Sequence, residues 1–228
     1  NSPHNPTGGV TTEEDVAEIC ALILSKENVF LFSDEPYDQM AWSDKHISPI
    51  GQRDMLDRCV AVYTMSKSYS MSGWRVGFGV SSKQNIEKLS VLANTSFSCV
   101  SPFSQIASAA ALREDNIERD ERMRVFKERV ARFARALQKI DGVNCLVPDG
   151  AFYVFADISG LIGKARPDGR VIETDSDFAA ALLELGDVAI VPGVAFGLSP
   201  AIRISFAAAD DTLDTALTRI ASVVETLR

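Results

Sequence analysis

Two short apolar runs, residues 59–63 (Cys-Val-Ala-Val-Tyr) and 76–80 (Val-Gly-Phe-Gly-Val), stand only twelve residues apart. Each has the length and composition of a buried strand. The stretch between them is rich in Ser and Gly, and carries Lys67 just after the hydroxyls of Thr64 and Ser66, with Arg75 eight residues further on. So short a connection holds Lys67 in a tight loop between strands rather than on a helix face. An ammonium is costly to keep in such a place unless it is neutralised or used covalently. A solvated lysine on a surface loop satisfies these residues as well, and the rest of the chain has to decide between the two.

A chain of 228 residues is long enough for one large domain or two small ones. Its net charge of −8 argues against a nucleic-acid or anionic-membrane partner. The four cysteines (Cys20, Cys59, Cys99, Cys145) lie far apart, without CxxC or Cys/His spacing, and three sit in apolar surroundings. They read as free thiols in a reducing, cytoplasmic setting. His4 and His46 are too few and too isolated for a metal site. No apolar run reaches the ~18 residues of a membrane span, and no signal peptide is visible. The opening Asn1-Ser2-Pro3-His4-Asn5-Pro6-Thr7-Gly8-Gly9 is a dense turn with nothing before it to turn from, which suggests a chain cut from a longer protein.

Thr12 followed by Glu13, Glu14 and Asp15 is a helix start, with the acids suited to the helix dipole. Val16, Ile19, Cys20, Ile23 and Leu24 then recur on one helical face. Residues 28–33 form a strand-length apolar run that ends in Asp34-Glu35-Pro36-Tyr37, and acids at a strand end in an α/β alternation sit where such sheets bind ligands. Residues 38–58 read as loop. Ser82 caps a helix bearing Ile86, Leu89 and Leu92, and Ser101-Pro102 opens a small-residue helix to about Leu112. A long charged amphipathic helix is expected over 114–140, its interleaved Arg, Glu and Asp marking a solvated face. Beyond it, strands at 143–147 and 151–156 flank Pro148-Asp149-Gly150, and 159–169 reads as a mobile Gly/Pro loop. A helix at 175–185, strands at 188–191 and 202–207, and a last helix capped by Asp210 or Asp211 complete the chain. The class is α/β, with a boundary near residue 115.

Five segments in this order carry a resemblance: Asn5-Pro6-Thr7-Gly8, Ser33-Asp34-Glu35-Pro36-Tyr37, Ser66-Lys67 with Gly73 and Arg75, Pro192-Gly193 through Phe196-Gly197, and Arg203-Ile204-Ser205. Any one alone is weak; together they resemble the class I/II (fold type I) pyridoxal-phosphate aminotransferases, of the aspartate-aminotransferase kind, over nearly the whole chain. The resemblance implies that residues 1–115 are the C-terminal part of the large cofactor-binding domain, a mainly parallel sheet with helices, and that 116–228 are a small α+β domain. It also implies a homodimer.

Each matched position has an implied role that suits its chemistry. Lys67 would be the Schiff-base lysine for pyridoxal 5′-phosphate and would later carry the proton of the substrate α-carbon. Both duties need the free amine, which desolvation and nearby positive charge favour. Asp34 would pair with the ring nitrogen and keep it protonated, making the ring an electron sink. Tyr37 and Asn5 would hydrogen-bond the cofactor's phenolic oxygen, with Asn5 also near the substrate. Arg75, with Thr64 and Ser66, would hold the phosphate, a guanidinium fork matching its geometry. Arg203 would clamp the substrate α-carboxylate and so turn the α C–H bond perpendicular to the ring. Trp74 and Phe152 read as packing.

Rival motifs fail on spacing. A Ser-x-x-Lys acyl enzyme would need serine where Thr64 stands, and Gly77-Phe78-Gly79 lacks the third glycine of a dinucleotide loop. The expected function is amino-group transfer between an L-amino acid and a 2-oxo acid by a ping-pong cycle. A carbon–sulfur β-lyase of the same fold and a cofactor-sensing regulatory domain are the alternatives. In the family, upstream residues supply a backbone phosphate cradle and a ring-stacking aromatic, so this stretch alone is expected to be inactive or to bind cofactor poorly. Residues 93–97 lack the arginine that some dicarboxylate-specific relatives place there, which leans towards broad specificity.

Overall fold

A computed structural model describes residues 1–43, 45–114 and 116–228. The chain forms two compact units, one made of residues 1–4 and 9–123, the other of 5–8 and 124–228. The boundary expected near residue 115 falls on Asp115, outside the described residues.

In the first unit, helix α1 (Glu13–Leu24) begins at a full capping box: Thr12 Oγ1 accepts from the Asp15 amide, and Asp15 reaches back to the Thr12 amide. Its buried residues Val16 and Cys20 pack with Met55 and Cys59. Strand β1 (Leu31–Asp34) pairs parallel with β2 (Cys59–Thr64), which pairs antiparallel with β3 (Gly77–Val80). This sheet is therefore mixed, not mainly parallel as expected among its described strands. The cause is the build of the link from Thr64 to Gly77: it contains only a short 3-10 turn (Ser72–Trp74) and no crossover helix to carry the chain back across the sheet, so it doubles straight back. Helices α2 (Lys83–Phe97) and α3 (Pro102–Arg113) follow. Ser82 and Ser101 stand at their N-caps as expected, yet neither side chain makes the capping bond.

Helix α4 (Ile117–Leu137) starts three residues later than its charge pattern suggested. In the second unit β4 (Asn144–Cys145), β5 (Tyr153–Asp157), β6 (Val191–Pro192) and β7 (Ala201–Ser205) form an antiparallel sheet in the order β4-β5-β7-β6. The hairpin strands are shorter than expected because Pro148 has no N–H to pair and Ala151 adopts positive φ (56°). Val188 belongs to the turn leaving α5 (Asp175–Gly186), its amide bonded to Leu182 O, so β6 starts later than the apolar run. Alternation does the rest: Val154, Ala156, Ile202 and Ile204 point into a core built with Phe133, Phe178 and Phe206.

The 159–169 segment is pinned rather than mobile. Leu161 is fully buried, Ala165 exchanges backbone hydrogen bonds with Arg228, and Arg166 is buried against Glu184 at 2.6 Å. Helix α6 (Asp210–Thr226) has Ala209 at its cap; Asp210 is inside the first turn, where Arg129 of α4 grips it through two bonds of 2.8 and 3.1 Å. Part of the arginine-rich face of α4 is thus spent on α6, and Leu213, Ile220, Val224 and Leu227 face inward as their spacing requires. Among the described residues no helix is long and apolar enough to cross a membrane.

Candidate active site

Strand topology brings the chemistry of the first unit to one sheet edge. Because β1 and β2 run parallel, their C-terminal ends lie side by side, Asp34 opposite Val62. Because β3 runs back, its first residue Gly77 lies opposite Thr64 at that same edge. Asp34 and Tyr37, Thr64 through Lys67, and Arg75 therefore emerge within a few residues of one another along the sheet. In-register partners share a face and successive residues alternate, so Asp34, Val62 and Thr64 stand on one face while Ser33, Ala61 and Tyr63 stand on the other.

The loop after β2 has a defined build. Thr64 Oγ1 lies 2.8 Å from Ser66 Oγ and accepts the Ser66 amide at 3.1 Å, curling the chain as it leaves the strand. Met65 bonds to Val76 O and Met71 to Met65 O, while Met65, Met71 and Val76 bury their side chains together. Lys67 is half-buried on this turn, and the neighbouring Ser68 hydroxyl is buried with no hydrogen-bond partner among the described residues. Arg75 sits in the left-handed region (φ 52°) and its exposed guanidinium reaches back to Ser72 O at 3.0 Å. Gly77 is forced by space: a Cβ there would lie 2.4 Å from Tyr63 O. Tyr37 is buried, and Asp34 exposes its carboxylate.

On the opposite face lies a buried polar cluster that sequence reasoning missed. Glu35 is fully buried and accepts from Ser33 Oγ (2.8 Å), Ser48 Oγ (2.6 Å) and His46 Nε2 (2.8 Å), while Tyr63 OH donates to Ser48 Oγ at 3.1 Å. His46 is thus not isolated. Burial pushes the Glu35 carboxyl up, but the bonds from His46, Ser48, Ser33 and Tyr63 outweigh it and leave the group below the ordinary glutamate range. Burial, chiefly, pushes the Tyr63 phenol up to about 12. The signal was available: strand alternation puts Glu35 on the Ser33 face, away from Asp34, and a buried glutamate needs donors.

The second unit holds Asn5 and Arg203. Arg203 on β7 donates from Nη1 to Asn5 Oδ1 at 2.9 Å. Its guanidinium lies between the rings of Tyr153 (4.6 Å) and Phe196 (4.8 Å). Tyr153 is a diagonal cross-strand neighbour in the β5–β7 register, which the alternation of the 151–156 run alone does not disclose. Phe196 is held in a short 3-10 turn whose Val194 amide bonds to the buried Asp175 carboxylate at 2.8 Å. The 5–8 turn fits against the 148–150 turn so closely that a Cβ on Gly8 (φ 71°) would lie 2.4 Å from Pro148 Cβ. Arg203 Nε is buried without a hydrogen-bond partner among the described residues. A cation so enclosed, with an unused donor, suits an incoming carboxylate.

The profile of the aminotransferase class I and II family matches residues 1–220. The chain belongs to this family. It is similar to the aspartate aminotransferase of Rhizobium meliloti (strain 1021), 38% identical over 229 residues, covering all of this chain and 56% of that protein. It is 36% identical over 222 residues to the probable aspartate/prephenate aminotransferase of Rhizobium leguminosarum bv. phaseoli, covering 96% of this chain and 56% of the relative. The crystal structure of the aspartate aminotransferase from Rhizobium meliloti superimposes with a TM-score of 0.95 at 37% identity, over all of this chain and 57% of that one. The chain therefore spans a little over half the length of the curated relatives it matches.

Aminotransferases of class I and II use pyridoxal phosphate. The donor set at the sheet edge fits that group. Two hydroxyls and a guanidinium suit a phosphate, a carboxylate suits a protonated ring nitrogen, and the unpartnered Ser68 hydroxyl leaves a donor beside the one lysine of the loop.

Proposed function

We propose that the protein to which this chain belongs transfers an amino group between an L-amino acid and a 2-oxo acid. The observation that carries the reading is the common edge: a lysine, an aspartate, two hydroxyls and an arginine gathered where β1 and β2 end and β3 begins. When bound, pyridoxal phosphate supplies a carbonyl carbon that condenses with amines and a ring that takes up the electrons of a broken Cα–H bond.

The chain's residues have the following parts. Thr64, Ser66 and Arg75 bind the phosphate, Asp34 holds a proton on the ring nitrogen, and Tyr37 hydrogen-bonds the phenolic oxygen. Lys67 Nζ would be the covalent anchor for the group and would move the proton at the substrate α-carbon. Arg203 binds the α-carboxylate through paired N–H groups, and the Tyr153 and Phe196 rings hold its plane and exclude water around it. Asn5 fixes the guanidinium through Nη1, and would hydrogen-bond the phenolic oxygen and contact the substrate.

Aspartate is the first donor to test, because relatives at 36–38% identity are named for it. The protein is proposed to work as a homodimer in the cytoplasm, a setting its four free cysteines suit. The test is to incubate the full-length gene product with pyridoxal phosphate, aspartate and 2-oxoglutarate, and in parallel with cystathionine. Glutamate formation without thiol release supports transamination; thiol release without a new amino acid would make it a β-lyase. Inertness towards both, with cofactor bound, would favour a sensing role.

A further inference from the structure

Glu35 follows Asp34 directly, yet points to the other face of the sheet, where four side chains surround it. A fully buried carboxylate with three direct donors is expensive to build unless its position matters. Its backbone is held as firmly: the Glu35 amide bonds to Val62 O at 2.9 Å, extending the β1–β2 pairing one residue past Asp34. Ser33 on the near side is tied to the same carboxylate. Asp34 is thus bracketed by two anchored residues, and its Cα–Cβ direction is fixed from below. The turn that follows is closed by Met40 N to Tyr37 O at 2.7 Å, with both side chains buried.

We propose that the buried Glu35–His46–Ser48 cluster is the positioning element of the cofactor site, holding Asp34 in the orientation that meets the ring nitrogen. The inference rests on the role given above to Asp34. Glu35 touches neither cofactor nor substrate; it acts through its neighbour. A cluster that only stabilised the fold would weaken every ligand of the site alike, whereas one that aims Asp34 matters only to a ligand with a ring nitrogen for Asp34 to meet.

The test is a cycle between two ligands and two variants, read as equilibrium affinity in the full-length gene product. The ligands are pyridoxamine phosphate and its 1-deaza analogue, in which carbon replaces the ring nitrogen; neither can bond covalently to Lys67. E35Q should weaken pyridoxamine phosphate by about tenfold and the deaza analogue by less than about threefold, the range in which supporting residues act. S48A, which keeps the carboxylate and removes one donor, should show the same selectivity with a smaller loss, and it carries the test if E35Q does not fold. Equal losses for the two ligands, or no loss for either, would overturn the proposal. D34N separates the two claims. If D34N fails to discriminate between the ligands, the role of Asp34 itself is wrong; if D34N discriminates and E35Q and S48A do not, only the positioning inference falls.

Discussion

Replacing Arg203 with lysine keeps the positive charge and removes the planar fork. The arginine lies between two rings at 4.6 and 4.8 Å, is held by Asn5 at 2.9 Å, and keeps a buried Nε with no partner among the described residues. A lysine offers one point charge, so one of the two parallel charged hydrogen bonds to a carboxylate is lost, worth ~1.5–3 kcal/mol. Poorer stacking between Tyr153 and Phe196 adds about 0.5–1 kcal/mol. Together R203K should cost roughly 2–4 kcal/mol of transition-state binding, or about 30- to 900-fold in kcat/KM. The assay is steady-state turnover of the full-length protein with the amino acid and the 2-oxo acid varied in turn. Both substrates carry an α-carboxylate, so both should suffer, while a simple amine without that group should react equally well with parent and variant. A change below about threefold, or an equal penalty for the carboxylate-free amine, would refute the clamp.

Three further outcomes follow from the geometry. In Gly77→Ala the new Cβ would press on Tyr63 O at 2.4 Å, at the residue facing Thr64, so the variant should lose ~1–3 kcal/mol and several degrees of thermal midpoint; an unchanged midpoint would contradict the close approach. Glu35 has a lowered folded-state pKa, so its contribution to stability is present above the ordinary glutamate value and lost as pH falls through the lowered one. The stability gap between parent and E35Q, measured by denaturant titration, should therefore narrow below pH ~4.3, and a gap that widened on acidification would contradict the cluster. Thiol labelling of the folded protein should spare Cys20 and Cys59, both buried, the latter with its thiol pushed up to about 11 by burial first of all; rapid modification of either would mean that the α1 packing is wrong.

The helices were legible because their signals are local. The acidic turn after Thr12 and the proline at 102 announce α1 and α3 from adjacent residues, and inward leucines at helical spacing do the same for α6. What was not legible depends on partners far along the chain. Sheet direction turned on how the link from Thr64 to Gly77 returns, and the ends of β4 and β6 on which backbone groups found other acceptors. The site shows the same divide. Lys67, Asp34 and Arg75 stand out as residue types in a motif, but Glu35, His46, Ser48 and Tyr63 meet across up to 28 positions of sequence, and no periodicity connects them. Tyr153 and Phe196 flank Arg203 for the same reason: cross-strand register and a turn pinned by Asp175 place them there.

The amine of Lys67 is proposed as the covalent anchor of the cofactor. Borohydride reduction of the full-length protein with bound pyridoxal phosphate, followed by peptide mass mapping, tests it directly. A single pyridoxyl label is expected on the peptide containing Lys67, absent from the Lys67→Ala variant. A label on another lysine, or its persistence in that variant, would contradict it.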